Sequence, residues 1–159
     1  MPIDKVANVL LQWSLVRPDL DCTSMGIIGR VRRTSGEWQK KIDGFFKLKG
    51  LSSTEFDILA TLRRVNQPAT PTEIYRSTML SSGAVSTNLE KLVQAGWVAR
   101  TASDEDRRSC KVYLTEQGIA LVDDVVTQHV ANMDDLLSPL SASEQQQLQQ
   151  LLEKLMPES

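Results

Sequence analysis

Residues Leu80 to Leu114 read LSSGAVSTNLEKLVQAGWVARTASDEDRRSCKVYL, and the fold turns on how this stretch is parsed. Ser81 and Ser82 are residue types that cap a helix start. Val85, Leu89 and Leu92 then recur at helical spacing, and Gly96 is a helix stop. After it come Trp97-Val98-Ala99-Arg100, a polar charged tip from Thr101 to Ser109, and Lys111-Val112-Tyr113-Leu114, the pattern of a β-hairpin with a long loop. A helix of this size fits a DNA major groove, and a helix followed directly by a β-ribbon is how a winged helix-turn-helix meets a duplex.

Upstream and downstream, three helix starts share one chemistry. Ser52-x-x-Glu55, Thr70-x-x-Glu73 and Ser141-x-x-Glu144 are capping boxes, in which a hydroxyl and a carboxylate satisfy each other's backbone N–H groups. Pro71 follows Thr70 at the first helical position, where a missing N–H costs nothing. Helices are therefore expected to begin near residues 53, 71 and 142. The segment from Pro71 to Ala95 becomes a short helix to about Thr78, a tight connection through Met79-Leu80-Ser81-Ser82, and the longer helix from residue 83, which is helix-turn-helix length.

The ends are amphipathic. Ile3, Val6, Leu10 and Trp13 form a narrow stripe on a first helix that Pro18 ends. A second, from about Thr23 to Leu48, carries Met25, Ile28, Val31, Trp38, Ile42 and Phe45 toward a core or partner. Gly26, Gly29, Gly36 and Gly44 weigh against its being unbroken, at about 1 kcal/mol each relative to Ala. From Thr115 the chain runs through Ile119, Val122, Val126, Val130 and Met133, breaks near Pro139, and resumes with Leu148, Leu151, Leu152 and Leu155. One small domain cannot bury so many aliphatics on end helices, so these are expected to pair across a dimer interface. The expected architecture is mostly α with a small β-wing: dimerisation helices over 1–50, a winged helix-turn-helix lobe over 51–114, and C-terminal dimerisation helices over 115–159.

Composition bounds the rest. A chain of 159 residues that is 41% hydrophobic and 24% charged is ordinary for a soluble globular protein. It has neither an apolar run of about 18 residues nor a signal-like start, so no membrane partner and a cytoplasmic location are expected. Cys22 and Cys110 lie far apart without a CxxC or clustered histidines, which removes the usual zinc spacings and leaves reduced thiols. His129 stands alone, which favours a surface or dimer-core role over metal binding or catalysis. With no nucleophile–base pair, metal spacing or phosphate loop, neither an enzyme nor a cofactor is expected.

The net charge of −2 argues at first against a nucleic-acid partner. Its distribution reverses this. Residues 30–50 hold seven basic and two acidic residues, whereas 115–159 hold one basic against eight acidic. Screening confines each patch to roughly 8 to 10 Å, so a locally positive face survives.

Several motifs together resemble the MarR family of bacterial winged-helix regulators. They are Leu80-Ser81-Ser82-Gly83-Ala84-Val85-Ser86, Leu92-Val93-Gln94-Ala95-Gly96, Asp104-Glu105-Asp106-Arg107-Arg108 and Leu114-Thr115-Glu116-Gln117-Gly118, with a looser match at Gly50 to Phe56. The resemblance implies a homodimeric, sequence-specific regulator of transcription, a repressor released by a small ligand. It also implies that Arg107 or Arg108 enters the minor groove, supported by Asp106 in the family's Asp-x-Arg pattern. Two recognition helices on one face of B-DNA call for a pseudo-palindromic operator with half-sites about 10 bp apart.

On a helical wheel Val85, Leu89 and Leu92 define the buried side, leaving Gly83, Thr87, Glu90, Lys91 and Gln94 opposite and Ser82 and Ser86 on the flanks. Ser82, Ser86, Thr87 and Lys91 are the candidate DNA contacts. The alternatives are a solvated polar face for this helix and, for the whole protein, a winged-helix protein–protein module without DNA binding. Trp13, Asp57 and Arg100 further resemble a branch of the family that responds to urate and related small anions, with Asn88 standing where that branch has a second arginine. Ligand binding would there break a bond between Arg100 and Asp57. The bland reading makes Trp13 dimer core, Asp57 an ion-pair partner and Arg100 a surface charge. Cys22, after the first loop, leaves redox sensing as a further alternative.

Overall fold

The computed structural model describes residues 4–78, 80–102 and 110–156. It contains helices α1 (Lys5–Val16), α2 (Thr23–Leu48), α3 (Ser53–Val65), α4 (Pro71–Ser77) and α5 (Ser82–Gln94), strands β1 (Val98–Ala102) and β2 (Cys110–Leu114), then α6 (Glu116–Leu137) and α7 (Ala142–Leu155). No helix among the described residues is long and apolar enough to cross a membrane. The chain forms two compact units that divide within α2, between Ile42 and Asp43.

In the first unit, Asp4 caps α1 by accepting from the Val6 and Ala7 backbone N–H groups and pairs with Arg30 of α2. As expected, α2 spans Thr23 to Leu48, and it runs without interruption despite its four glycines. Two of its glycines serve packing. A Cβ on Gly26 would lie 2.9 Å from Leu10 Cδ1, and one on Gly29 3.3 Å from Val6 Cγ1. Close approach of α1 offsets the weak helix propensity of glycine there.

In the second unit all three capping boxes form, at Ser52, Thr70 and Ser141. The core gathers Ile58, Leu59 and Leu62 of α3, Ile74 of α4, Val85, Leu89 and Leu92 of α5, Val98 and Val112 of the ribbon, and Val122 and Val125 of α6. The strands pair antiparallel, with Val98 opposite Leu114 and Arg100 opposite Val112. Ala69 adds a bridge on the other side of Val112, through bonds of 2.9 and 2.8 Å, which ties the segment before α4 to the ribbon.

The turn from ribbon to α6 explains the Thr115-Glu116-Gln117-Gly118 motif. Thr115 donates its hydroxyl to the Gly96 carbonyl at 2.7 Å and accepts from Gly118 N at 3.1 Å. A Cβ on Gly118 would sit 2.0 Å from the Trp97 carbonyl oxygen, so only glycine lets α6 start there. Further along, His129 of α6 lies among Phe45, Phe46 and Phe56, with ring centroids 5.5, 4.7 and 5.4 Å away. The lone histidine thus packs inside its own chain.

Candidate nucleic-acid interface

Helix α5 is fixed from both ends. Ser81 caps it by accepting from Ala84 N at 3.3 Å, leaving Ser82 as the first helical residue with an exposed side chain. At the other end Gly96 takes a φ of 75°, and Trp97 N donates to the Leu92 carbonyl at 3.1 Å, closing the helix as in a Schellman turn. Val85, Leu89 and Leu92 are at most 2% exposed and hold α5 against α3 and α4. That anchoring sets the rotation of the helix. Ser82, Gly83, Ser86, Thr87, Lys91 and Gln94 are left exposed along one side.

Glu90 shares that exposed side, and its carboxylate would repel phosphates. Arg100 of β1 pairs with it. The chain reverses at Gly96, so a residue six before the turn meets one four after it. The Arg100 partner is therefore Glu90 and not the expected Asp57. The signal was present in the sequence as opposite charges flanking a helix-stop glycine, but it competes with every other acid in the chain. Ser86, Glu90 and Arg100 border a small hollow of about 180 Å³ together with Cys110.

The other candidates fall out as follows. Asn88 is half-buried and donates Nδ2 to the Ala84 carbonyl of its own helix at 2.8 Å. Asp57 keeps solvent access, yet surrounding apolar packing raises its carboxyl pKa above the ordinary value, against the opposing fields of Arg64 and His129. In the first unit Trp13 is 40% exposed and borders a shallow hollow with Val9, Gln12 and Val16. Asp106, Arg107 and Arg108 lie outside the described residues. Cys22 is half-buried and Cys110 exposed, and both are unpaired thiols. Among the described residues no three His, Cys, Asp or Glu side chains are grouped to hold a metal ion.

A family model for the MarR family matches residues 49–109, from just after α2 to just before β2. The chain is also 41% identical over 150 residues to the HTH-type transcriptional regulator PecS of Dickeya dadantii (strain 3937), covering 93% of this chain and 90% of that one. The chain belongs to the MarR family. It is a winged-helix transcriptional regulator. The HTH-type transcriptional regulator MhqR of Bacillus subtilis (strain 168) is 34% identical over 107 residues, covering 67% of this chain and 72% of its own. Among solved structures, a mutant of Escherichia coli MarR complexed with operator DNA superposes with a TM-score of 0.71 at 23% identity, covering 91% of this chain and 98% of that one. It shares the fold.

Proposed function

We propose that this MarR-family regulator acts as a homodimer on duplex DNA, reading a pseudo-palindromic operator as a repressor, by binding rather than catalysis. The observation that carries this reading is the posture of α5: its apolar side is pinned, and Ser82, Ser86, Thr87 and Lys91 stand free on the other, directly before an antiparallel ribbon. N-terminal residues of such a helix reach base edges, and a lysine reaches a phosphate or guanine. Arg107 and Arg108, with Asp106 beside them, supply minor-groove charge. Pairing with Arg100 suits α5 to DNA because it neutralises Glu90.

The same ion pair gives a small anion a route to release. An anion that takes Arg100 from Glu90 returns an unpaired carboxylate to the face of α5 opposite the phosphates, and lowers DNA affinity. Trp13, Asp57 and Asn88 remain ligand-responsive positions in this reading. A homodimer accounts for the exposed leucines of α7, where Leu151, Leu152 and Leu155 are 51%, 42% and 73% exposed.

The test is fluorescence anisotropy on the DNA upstream of the protein's own gene and on random duplex, across a salt series. Replacing Arg107 and Arg108 by Ala is expected to weaken binding to both DNAs and flatten the salt slope, by about one unit per lost phosphate contact. Thr87→Ala is expected to cost about 1–3 kcal/mol on operator alone. Equal losses on operator and random DNA for Thr87→Ala would remove it from the reading set. A footprint on one asymmetric half-site would sink the dimer.

A further inference from the structure

Thr115 stands between the ribbon and α6, and each of its polar groups is engaged. Two bonds reach back along the chain: its backbone N–H donates to the Trp97 carbonyl at 3.1 Å, and its hydroxyl donates to the Gly96 carbonyl at 2.7 Å. Two reach forward into α6: the hydroxyl oxygen accepts from Gly118 N at 3.1 Å, and the Thr115 carbonyl accepts from Ile119 N at 2.9 Å. A threonine hydroxyl has one proton to donate and lone pairs with which to accept, so it serves both sides at once. Gly96 and Trp97 are also the residues that close α5, through the bond from Trp97 N to the Leu92 carbonyl. One side chain therefore joins the end of α5 to the start of α6.

The junction has little slack. A Cβ on Gly118 would stand 2.0 Å from the Trp97 carbonyl oxygen, so the first turn of α6 already lies against the turn that ends α5. From there α6 runs for 22 residues and leaves Val126, Val130 and Met133 exposed, the kind of face a second copy would press on. Another tie from α6 to the lobe is the pair of Arg63 with Asp123, and it differs in kind. It reaches α3, and its side chains are 40% and 47% exposed, so salt and water loosen it. The Thr115 bonds carry no net charge and end on main chain, so salt does not screen them.

We propose that Thr115 is the positioning residue of the α5 face: its hydroxyl couples α6 to α5 and the ribbon, so that a displacement of α6 turns the DNA-reading side with it. This deepens the proposed function and rests on it for the consequence at DNA, whereas the coupling itself is a property of the chain alone. Thr115 is also the N-cap of α6, and the two roles separate chemically. Capping needs only an oxygen that accepts from Gly118 N; coupling needs the proton given to Gly96. Thr115→Asp keeps a good cap and has no proton to give at neutral pH, Thr115→Ser keeps both roles, and Thr115→Val loses both.

The experiment has two arms on the full-length chain. In the first, amide hydrogen exchange is followed by NMR without DNA. Thr115→Asp is expected to speed exchange at the Trp97 and Thr115 amides about tenfold while Gly118 stays protected, and Thr115→Ser is expected to match wild type. In the second, anisotropy is measured on the duplex from upstream of the protein's own gene and on random duplex. If the freed α5 spends about a tenth of its time in the reading orientation, Thr115→Asp loses about tenfold or more on the upstream duplex. On random duplex, whose phosphates are met from many orientations, it is expected to lose less than about twofold. Unchanged exchange at Trp97 and Thr115 in Thr115→Asp, failure of Thr115→Ser to match wild type, or equal losses on the two duplexes would each overturn the proposal. So would a urea midpoint lowered by Asp as far as by Val, which would leave Thr115 a cap and nothing more. Wild type binding both duplexes equally would overturn the DNA-binding reading alone, and the exchange arm, which contains no DNA, would then decide the coupling.

Discussion

The reading lobe and the end helices carry the same kind of apolar pattern and meet different fates. In the lobe, Ile58, Ile74, Val85, Leu92, Val98 and Val112 are all at most 2% exposed, covered by their own chain. In α7 no residue is buried, and α1 leaves Leu11, Leu15 and Val16 at 59%, 75% and 73% exposure. Helical periodicity states that a face is to be covered but not by what. The lobe completes its core from α3, α4, α5, α6 and the ribbon, whereas the end helices hold aliphatic surface in reserve. On the proposed reading a second copy covers it.

The contrast is broken most directly in the lobe. Ile58 is fully enclosed, so Ile58→Ala removes buried methylenes and leaves a cavity, at an expected cost of about 2–5 kcal/mol. Urea denaturation at fixed protein concentration measures it. A loss below about 1 kcal/mol would mean that the lobe core is no better packed than the ends.

At the ends the effect is expected to change character. Leu155→Glu places a charge on a 73% exposed position, so the fold of the isolated chain is expected to change by less than about 0.5 kcal/mol. Association is a different matter: a leucine buried at an interface contributes about 1.5–3 kcal/mol, or roughly 10- to 150-fold in the dimer dissociation constant. Sedimentation over a dilution series separates the two. Wild-type and variant chains dissociating at the same concentration would show that α7 is not part of the covered face.

What was legible in the sequence was local. The capping boxes at Ser52, Thr70 and Ser141, the stop at Gly96 and the buried side of α5 all rest on residues within a few positions of one another, and each forms as expected. What Gly26 does for packing is not legible in the sequence, because it depends on Leu10 arriving from another helix. The family resemblance points to Asp57 as the partner of Arg100, while the return of the chain at Gly96 delivers Glu90 instead. The aromatic packing of His129 joins segments more than seventy residues apart in sequence, and no periodicity announces it. Which polar residues of α5 reach DNA is not a matter of one chain at all, since the groove that selects them belongs to the partner.

The smallest effect concerns His129, where α2, α3 and α6 meet inside the second unit, and it asks whether that junction behaves as lobe or as end. Burial among Phe45, Phe46 and Phe56 lowers the His129 pKa below its ordinary value of 6.5, with the Asp57 charge pulling the other way. Among the described residues its buried Nδ1 atom has no hydrogen-bond partner, so none of them offers an acceptor for a second proton. A depressed histidine pKa means that the unfolded chain binds the proton more readily than the folded one. The stabilisation is therefore complete above about pH 6.5, declines as pH falls through that value, and levels off below the folded pKa. One proton limits the slope to about 1.4 kcal/mol per pH unit. Asp57 has the opposite sign, since its raised pKa makes the folded state the better proton binder above 3.8, so its stability rises as pH falls. The measurement is urea stability of wild type and His129→Phe from pH 8 to pH 5, each in the Asp57→Asn background as well. Phenylalanine keeps the ring packing and cannot titrate, so the difference curve isolates the histidine. It is expected to be flat above pH 7 and to bend downward for wild type below about 6.5, more steeply when Asp57 is neutralised. A difference curve flat across the whole range would mean that water reaches His129 as freely as it reaches the leucines of α7.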